Sequence, residues 1–214
     1  MLAPMSFAST ERECLAELLI DVGPDAPTLC EGWNTRDLAV HLFIRENRVA
    51  AALGIFLSPF AGALEKETAR QKERDYEEVV REWAAGPPTL LRGVDKQLNT
   101  AEHFIHHEDV RRGAGLARPR RFGEGVEKQL LANAVAMGKM ALRGVAAPVV
   151  LTPPALPQET IGGKRGVADR GDDVVRVFGA PGELLMWLSG RTSVEVRVEG
   201  PEALVNEVVV TLGV

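Results

Sequence analysis

The sequence predicts an α+β fold in which a helical bundle of about 145 residues precedes a small α/β domain. Two observations carry this prediction. Through the first two-thirds of the 214 residues, apolar side chains recur every three or four positions, which is the spacing of amphipathic helices. After Ala147, short runs alternate apolar and polar residues between prolines and glycines, which is typical of strands. We therefore expect two domains, residues 1–145 and residues 146–214.

The first two predicted helices have clear starting residues. Ser6 can cap the first helix, which ends at Gly23-Pro24. A loop with the sequence DAPTLCEGW follows. Asn34 or Thr35 then caps a second helix, which is predicted to run to about Gly54 and carries an acidic residue in its first turn.

Three further helices are predicted before the composition changes. Residues 75–78, with the sequence DYEE, are typical of a capping box and open the third helix, which closes at the GPP of 86–88. The highly charged segment 65–74 either extends that helix or forms a solvent-exposed segment that precedes it. A fourth helix is predicted over about 89–112 and a fifth over 126–142.

The remainder of the chain predicts short strands around one helix. Residues 181–188 (PGELLMWL) form this helix, with proline at its start and Gly190 after its end. The predicted strands are the β-branched or alternating runs 148–154 (PVVLTPP), 174–179 (VVRVFG), 194–200 (VEVRVEG) and 208–214 (VVVTLGV).

Charge and composition exclude several classes of function. The net charge is −5 without a basic run, which argues against a nucleic-acid-binding module. The longest uncharged stretch, 49–64, is interrupted by glycine and proline and is shorter than the about 20 apolar residues of a membrane span. Two cysteines, Cys14 and Cys30, make no disulfide scaffold, and the N-terminus does not resemble a secretory signal. We expect a cytoplasmic monomer or homodimer that binds small molecules, with no nucleic-acid or membrane partner.

Three of the four histidines fall in one stretch of the predicted fourth helix, AEHFIHHED at 101–109. Spacing alone allows two pairs to share a metal ion, Glu102 with His106 or His103 with His107. The buried side of this helix is defined by its apolar stripe, Leu91, Val94, Leu98, Ala101 and Ile105. At about 100° per residue, Glu102 and Asp109 lie within about 40° of the stripe's centre and His106 within about 80°. His103 and His107 lie more than about 120° away and are predicted to face solvent or a neighbouring surface.

The fourth histidine, His41, shares a helical face with Leu38 and Leu42 and is predicted to point into the bundle. One interpretation is a core histidine satisfied by a single hydrogen bond. A buried carboxylate nearby favours metal coordination instead, because an unpaired interior charge is costly. His41, Glu102 and His106 would form a His₂Glu set, which leaves a fourth position open as in catalytic zinc sites. The residues alone leave both interpretations open.

Several other residues have a structural interpretation. Gly32 and Trp33 are predicted to be a turn residue and a core anchor. Cys30 is interpreted as a small buried hydrophobic side chain, because no basic partner lies near it in the sequence. Arg191 follows a predicted helix, so it either caps that helix, pairs with an acid or binds a ligand.

The segment PTLCEGWNTRDLAVHL at 27–42 resembles the cysteine–glycine–tryptophan-to-histidine signature of the mycothiol-dependent maleylpyruvate isomerase N-terminal family. This family belongs to the DinB-like metal-binding four-helix bundles. Glu102-x-x-x-His106-x-x-Asp109 is similar to the family's second metal motif. Ser189-Gly190-Arg191 resembles a Gly-Arg element in its C-terminal domain. The chain is most similar to the branch known only as metal-binding proteins.

The resemblance implies a DinB-like bundle in which His41, Glu102 and His106 bind a divalent metal ion, expected to be zinc. It also implies that Asp109 and Arg191 take part in catalysis and that Arg191 contacts the cofactor. The implied function is a zinc-dependent enzyme that activates a low-molecular-weight thiol, mycothiol, for isomerisation or for transfer to an electrophilic substrate. The alternative is a non-catalytic metal-containing protein that binds or senses a ligand.

Overall fold

The structure is a computed structural model, which describes residues 6–55, 57–86, 96–115, 118–162 and 173–214. The chain divides into two compact units, Met1–Ala117 and Arg118–Val214. The described part of the first unit is helical, and the second unit combines helices with a four-stranded sheet. The predicted α+β class, with helices first and a small sheet last, is therefore confirmed.

The first unit contains six α-helices within the described ranges. They are α1 Phe7–Val22, α2 Thr35–Asn47, α3 Val49–Ala52, α4 Ala61–Lys72, α5 Tyr76–Ala84 and α6 Lys96–Gly113. Two single-turn 3₁₀ helices, Leu53–Ile55 and Ser58–Phe60, lie between α3 and α4. Helix α1 packs against α5 and α6, and α2 packs against α4 and α5. Helix α2, which carries His41, is thereby held on one side by α5, while α6 is held by α1.

Capping hydrogen bonds confirm three of the predicted helix starts. The side chains of Ser6, Asn34 and Asp75 each accept a hydrogen bond from the backbone N–H three residues later. These bonds matter because the first N–H groups of a helix have no partner within it. At Asn34 the acid three residues later also accepts the N–H of Asn34, which completes a capping box.

Two helix boundaries differ from the prediction. Helix α2 ends at Asn47 rather than Gly54, because Arg48 leaves the helical region with φ −129° and ψ 62°. The charged segment 65–74 falls mostly in a separate helix, α4, so it is neither an extension of α5 nor a loop. The predicted start of the fourth helix near residue 89 lies outside the described residues, as do Leu91, Val94 and the side chain of Leu98.

The core of the first unit joins α1, α2 and α5. Phe43 and Trp83 are its largest fully buried aromatic side chains. Aliphatic side chains from the three helices surround them: Leu15, Leu19, Leu38, Leu42, Ile44, Val79 and Val80. Because protein cores are close-packed, this cluster fixes the rotation of α2 about its axis and therefore the direction in which His41 points.

The second unit begins with a long helix and continues into the sheet. Its elements are α7 Glu124–Ala141, β1 Val149–Thr152, β2 Glu159–Ile161, β3 Val175–Phe178, α8 Pro181–Leu188, β4 Arg197–Glu199 and α9 Glu202–Leu212. The strand order is β2-β1-β3-β4, with β1 and β3 parallel and the outer strands antiparallel to their neighbours. Helix α8 is buried along its whole length and packs on α7.

The predicted C-terminal strand at 208–214 is wrong, because these residues belong to helix α9 and its cap. Pro201 and Glu202 supply a helix start, and Gly213 ends the helix in the left-handed region at φ 73°. The N–H of Gly213 bonds to the carbonyls of Val209 and Val210. The run of valines therefore misled the prediction, since packing of Val208 into the core overrides the β-propensity of its neighbours.

Helix α7, which the sequence grouped with the N-terminal bundle, lies in the second compact unit. The division of the chain into domains 1–145 and 146–214 stays a prediction. None of the helices in the described ranges combines the length and the hydropathy that crossing a lipid bilayer requires.

Candidate metal centre

Helix α6 carries a nearly continuous run of buried polar side chains. Its buried polar residues are Asn99, Thr100, His103, His106, His107, Glu108, Asp109 and Arg112. Buried polar groups are costly unless they are paired or hydrogen-bonded. Each of these side chains therefore needs partners, and those on the face toward α2 define the candidate site.

His41 from α2 meets Glu102 and His106 from α6 at one point. The Nε2 atoms of His41 and His106 lie 3.2 Å and 3.3 Å from the same oxygen of Glu102. The two imidazole rings are 5.4 Å apart, and one ligand atom from each residue lies within 4.8 Å of the others. The convergence of these three side chains, derived from their helical phase, is therefore present in the structure. Their role as metal ligands stays a prediction.

Arg45 completes the surroundings of Glu102. Its Nε forms an ion pair with Glu102 Oε1 at 3.1 Å, and its Nη1 donates to the side-chain oxygen of Asn99 at 2.7 Å. Arg45 lies one helical turn after His41, so α2 supplies both a histidine and a fixed positive charge to the same carboxylate. This arrangement holds Glu102 in a single orientation.

The electrostatics of the site favour an ionised carboxylate. Burial by itself raises the pKa of Glu102, but hydrogen bonds from His106 and His41 and the charges of His106 and Arg45 outweigh it and lower the pKa well below its usual range. Burial by itself lowers the pKa of His106. Its hydrogen bonds with Asp109, Cys30 and Glu102 nevertheless raise the pKa of His106 well above its usual value.

The second nitrogen of the His106 ring faces a carboxylate on its own helix. Nδ1 of His106 lies 2.9 Å from Oδ2 of Asp109, which is fully buried. The thiol of Cys30 donates to the same oxygen at 3.2 Å, and its sulfur lies 3.9 Å from Nδ1 of His106. An ionised carboxylate only accepts hydrogen bonds, so His106 donates from Nδ1 and its Nε2 atom is left to face Glu102 and His41.

The loop that carries Cys30 is seated directly on α6. The backbone N–H of Leu29 donates to the carbonyl of Asp109 at 3.1 Å. Four residues further along α6, a Cβ added to Gly113 would lie 2.0 Å from the carbonyl oxygen of Pro27, so only glycine allows this approach. Gly32 adopts the left-handed conformation at φ 73°, as expected for the predicted turn.

One residue of this loop differs from its predicted role, and a second has a contact that the sequence did not predict. Trp33 is not a core anchor: it is 38% exposed, and its ring lies 5.2 Å from that of His41. Cys30 is half-buried and packs against the core of the first unit, as predicted, but its thiol also donates a hydrogen bond to Asp109. Its partners lie 76 and 79 positions away in the sequence, so local inspection does not reveal them.

Of the two predicted surroundings of His103 and His107, solvent is wrong and a neighbouring surface is present, because α1 covers that face of α6 and buries both residues. Nδ1 of His103 lies 2.9 Å from the carbonyl oxygen of Ala8, and Nδ1 of His107 lies 3.0 Å from Oε2 of Glu11. A single apolar stripe indicates one buried face. Helix α6 is packed on more than one side, so both polar faces of the helix are interior.

A buried charge cluster that the sequence did not predict lies behind the site. Glu46, on α2, is in contact with Arg12 at 2.5 Å and with Nε2 of His103 at 2.9 Å. It also accepts a hydrogen bond from Nε1 of Trp83 at 2.8 Å. One signal was available, since Glu46 follows Leu38 and Leu42 at four-residue spacing and so falls on the apolar stripe of α2.

Arg191, the site residue predicted in the C-terminal region, lies in the second unit just after α8. Its Nη1 donates to the carbonyl of Ser189 at 2.7 Å. The preceding Gly190 has φ 84°, in the left-handed region. Its catalytic and cofactor-binding roles stay predictions.

The donor set of the centre fits a divalent transition metal. Two imidazole nitrogens and one carboxylate oxygen are preferred zinc ligands, and three protein ligands are the number that catalytic zinc sites provide. Asp109 supplies the carboxylate that commonly orients a metal-binding histidine. A second group with suitable ligand atoms, Cys30 with His106 and Asp109, shares His106 with the first.

The described part of the first unit is thus a helical bundle that carries a His₂Glu candidate metal site. Residues 8–102 match the family model of the mycothiol maleylpyruvate isomerase N-terminal domain. The resemblance noted in the sequence is thereby confirmed. The matched segment includes His41 and Glu102 and ends before His106.

Two solved structures share the fold over most of the chain. The mycothiol-dependent maleylpyruvate isomerase matches with a TM-score of 0.61 and 16% identity. A histidine-to-alanine mutant of the mycothiol-dependent maleylpyruvate isomerase matches with a TM-score of 0.63 and 15% identity. Each match covers 92% of this chain and 92% of the other. No curated relative matches the chain at the sequence level.

Proposed function

We propose that this protein is a zinc-dependent enzyme that activates a low-molecular-weight thiol, mycothiol, for isomerisation or for transfer to an electrophilic small molecule. The observation that carries the proposal is the convergence of His41, Glu102 and His106 within 4.8 Å. The family of residues 8–102, whose name includes mycothiol, supports the choice of thiol.

In this proposal His41, Glu102 and His106 hold the metal ion and leave a further position for the thiol. Zinc, when bound, lowers the pKa of a coordinated thiol so that the nucleophilic thiolate predominates at neutral pH. Hydrogen bonds from His106 and His41 lower the pKa of Glu102, and the charge of Arg45, 3.1 Å away, adds to this effect. The site residues are mostly buried, with side-chain exposures of 17%, 23% and 10% for His41, Glu102 and His106. Only small molecules could therefore reach the site.

Asp109 and Arg191 are the proposed catalytic residues outside the metal ligands. Asp109 holds the proton on Nδ1 of His106 and, through that hydrogen bond, directs the Nε2 lone pair toward the metal position. Arg191 is proposed to bind a carboxylate or another anionic group of the thiol or substrate, because a guanidinium can hold such a group with two parallel hydrogen bonds. The protein would act in the cytoplasm, as a monomer or homodimer, on a reduced thiol.

The proposal is tested by titrating mycothiol into zinc-loaded and metal-stripped protein in a calorimeter, followed by an assay of maleylpyruvate isomerisation. We expect thiol binding only in the loaded protein, and turnover that requires both zinc and thiol. Equal thiol affinity with and without metal would contradict the proposal. Metal-dependent thiol binding with no turnover on any electrophile tested would instead identify a ligand-binding or sensor protein. Glu82→Gln, an exposed position on α5, serves as the control variant.

A further inference from the structure

We propose that Cys30 is a positioning residue of the metal centre: its thiol orients Asp109, and Asp109 orients the His106 ring. The inference rests on the proposed function, because it assumes that His106 binds metal through Nε2. It assigns a role to the half-buried cysteine beside the site, which neither helical phase nor the ligand set explains.

The contacts form a chain of hydrogen bonds that ends at the candidate ligand. The Cys30 thiol donates to Oδ2 of Asp109 at 3.2 Å, and the same oxygen accepts from Nδ1 of His106 at 2.9 Å. Asp109 is fully buried, so bulk water does not replace a hydrogen bond that its carboxylate loses. With Oδ2 held from two sides, the carboxylate cannot rotate away from Nδ1, and the tautomer and tilt of the imidazole are both fixed.

The position of Cys30 is determined by the seating of its loop on α6. The Leu29 N–H bonds to the carbonyl of Asp109, and the close approach of Pro27 to Gly113 anchors the preceding turn. Thr28 then fixes the backbone around Cys30, since its hydroxyl oxygen accepts the Cys30 N–H at 3.1 Å. The thiol therefore faces Asp109 because the loop contacts the helix at two points and Thr28 fixes the backbone between them.

The position of the sulfur also raises the alternative that Cys30 is itself a ligand, because Cys30, His106 and Asp109 have ligand atoms close enough to share an ion. A positioning residue and a ligand differ in a measurable way. Cobalt bound by a thiolate has an intense charge-transfer band in the near ultraviolet, whereas cobalt bound only by nitrogen and oxygen has none.

The experiment is cobalt titration of the full chain, followed by absorption spectroscopy, for wild type, Cys30→Ala, Cys30→Ser and Cys14→Ala. Cys14 is an exposed cysteine on α1 and supplies the matched control. We expect one cobalt per wild-type chain, without the thiolate band. Cys30→Ala should bind cobalt about tenfold more weakly, the lower end of the range for residues that orient ligands, and its visible spectrum should change. Cys30→Ser retains a donor and should restore both the affinity and the spectrum, and Cys14→Ala should behave as wild type.

A thiolate band in wild type that Cys30→Ser abolishes would overturn the inference, because Cys30 would then be a ligand. Cobalt affinity and a visible spectrum in Cys30→Ala that equal those of wild type would also overturn it, while leaving the proposed metal centre intact. Failure of wild type to bind stoichiometric cobalt would contradict the proposed function itself and remove the basis of the inference. Circular dichroism of the metal-free variants separates these results from misfolding, and the serine variant remains informative if the alanine variant is unstable.

Discussion

Replacing Glu46 with glutamine should destabilise the protein substantially, although the residue is not part of the candidate centre. Its carboxylate is the shared partner of Arg12, His103 and Trp83 across α1, α2, α5 and α6. The Glu46 side chain is 1% exposed and that of Arg12 is 11% exposed. Breaking a buried ion pair leaves an uncompensated charge, which costs about 3–5 kcal/mol, and glutamine retains one carbonyl acceptor. We therefore expect a loss of about 3 kcal/mol in the free energy of unfolding at neutral pH.

The pH dependence of this loss is a stricter test of the same reasoning. Burial by itself raises the pKa of Glu46, but the contacts with His103, Arg12 and Trp83 outweigh burial and hold the pKa below its usual range. Because the folded-state pKa lies below the unfolded value of about 4.3, the ionised carboxylate stabilises the fold above that pH. This stabilisation is lost as the pH falls through the folded-state pKa, so the difference between wild type and Glu46→Gln should shrink as the pH falls below about 4.

Urea unfolding curves at neutral pH and in acid, for wild type and Glu46→Gln, measure both effects. Glu82→Gln is the matched control, because Glu82 pairs with Arg74 at an exposed position and its loss should cost no more than about 1 kcal/mol. The role of the buried cluster would be refuted if Glu46→Gln lowered the free energy of unfolding no more than Glu82→Gln does. It would also be refuted if the loss in Glu46→Gln did not change with pH.

Three further predictions follow from the site and its supports. Zinc at about 100 times its Kd should stabilise the wild-type fold by about 2.7 kcal/mol and so raise its Tm. His106→Ala should abolish this increase in Tm, whereas His107→Ala should have a lower Tm without zinc but show the same increase. Retention of the full increase in His106→Ala would contradict the assignment of His106 as a ligand. Gly113→Ala places a Cβ 2.0 Å from a backbone carbonyl oxygen and should lower the free energy of unfolding by about 2 kcal/mol. Gly125→Ala, whose Cβ has nothing within 4 Å, should leave that free energy unchanged. Thermal unfolding of the two variants measures the difference. Arg191→Lys should weaken thiol binding or turnover at least tenfold, about 1.4 kcal/mol, with little change in Tm; a lower Tm with unchanged thiol binding would mean that Arg191 is only structural.

The convergence of the candidate ligands was predictable because helical phase is a local property. His41 lies on the same face of α2 as Leu38 and Leu42, both fully buried, so its direction follows from the apolar stripe. Glu102 and His106 are one turn apart on α6 and therefore share a face. Local phase together with the family signature was sufficient to bring these three residues to one point.

Helical phase did not predict the burial of His103 and His107, because α6 is buried on more than one side. His103 and His107 lie opposite the stripe of α6, and that position indicates solvent only if nothing else packs there. Helix α1 packs there, and its Ala8 carbonyl and Glu11 carboxylate satisfy the two histidines. Partners separated by more than ninety residues leave no local pattern from which this contact could be predicted.

Two other misses have the same physical origin. The role of Cys30 depends on a loop that closes onto Asp109, 79 positions away, and on the absence of a side chain at Gly113. The valine run at 208–210 has high β-propensity, yet it forms a helix because tertiary packing overrides intrinsic preference. Tertiary contacts therefore decide both cases, and a single sequence does not contain them in a form that periodicity detects.

The metal content of the full chain shows whether the three candidate ligands hold one ion. It is measured for wild type and His41→Ala, each purified without a histidine tag, loaded with zinc and desalted. His41 comes from α2 and the other two candidate ligands come from α6, so the comparison tests the convergence of the two helices on one ion. We predict one zinc ion per wild-type chain by mass spectrometry and a loss of most of it in His41→Ala. A wild-type chain without stoichiometric metal, or a His41→Ala chain that retains a full equivalent, would mean that His41, Glu102 and His106 do not form a metal centre.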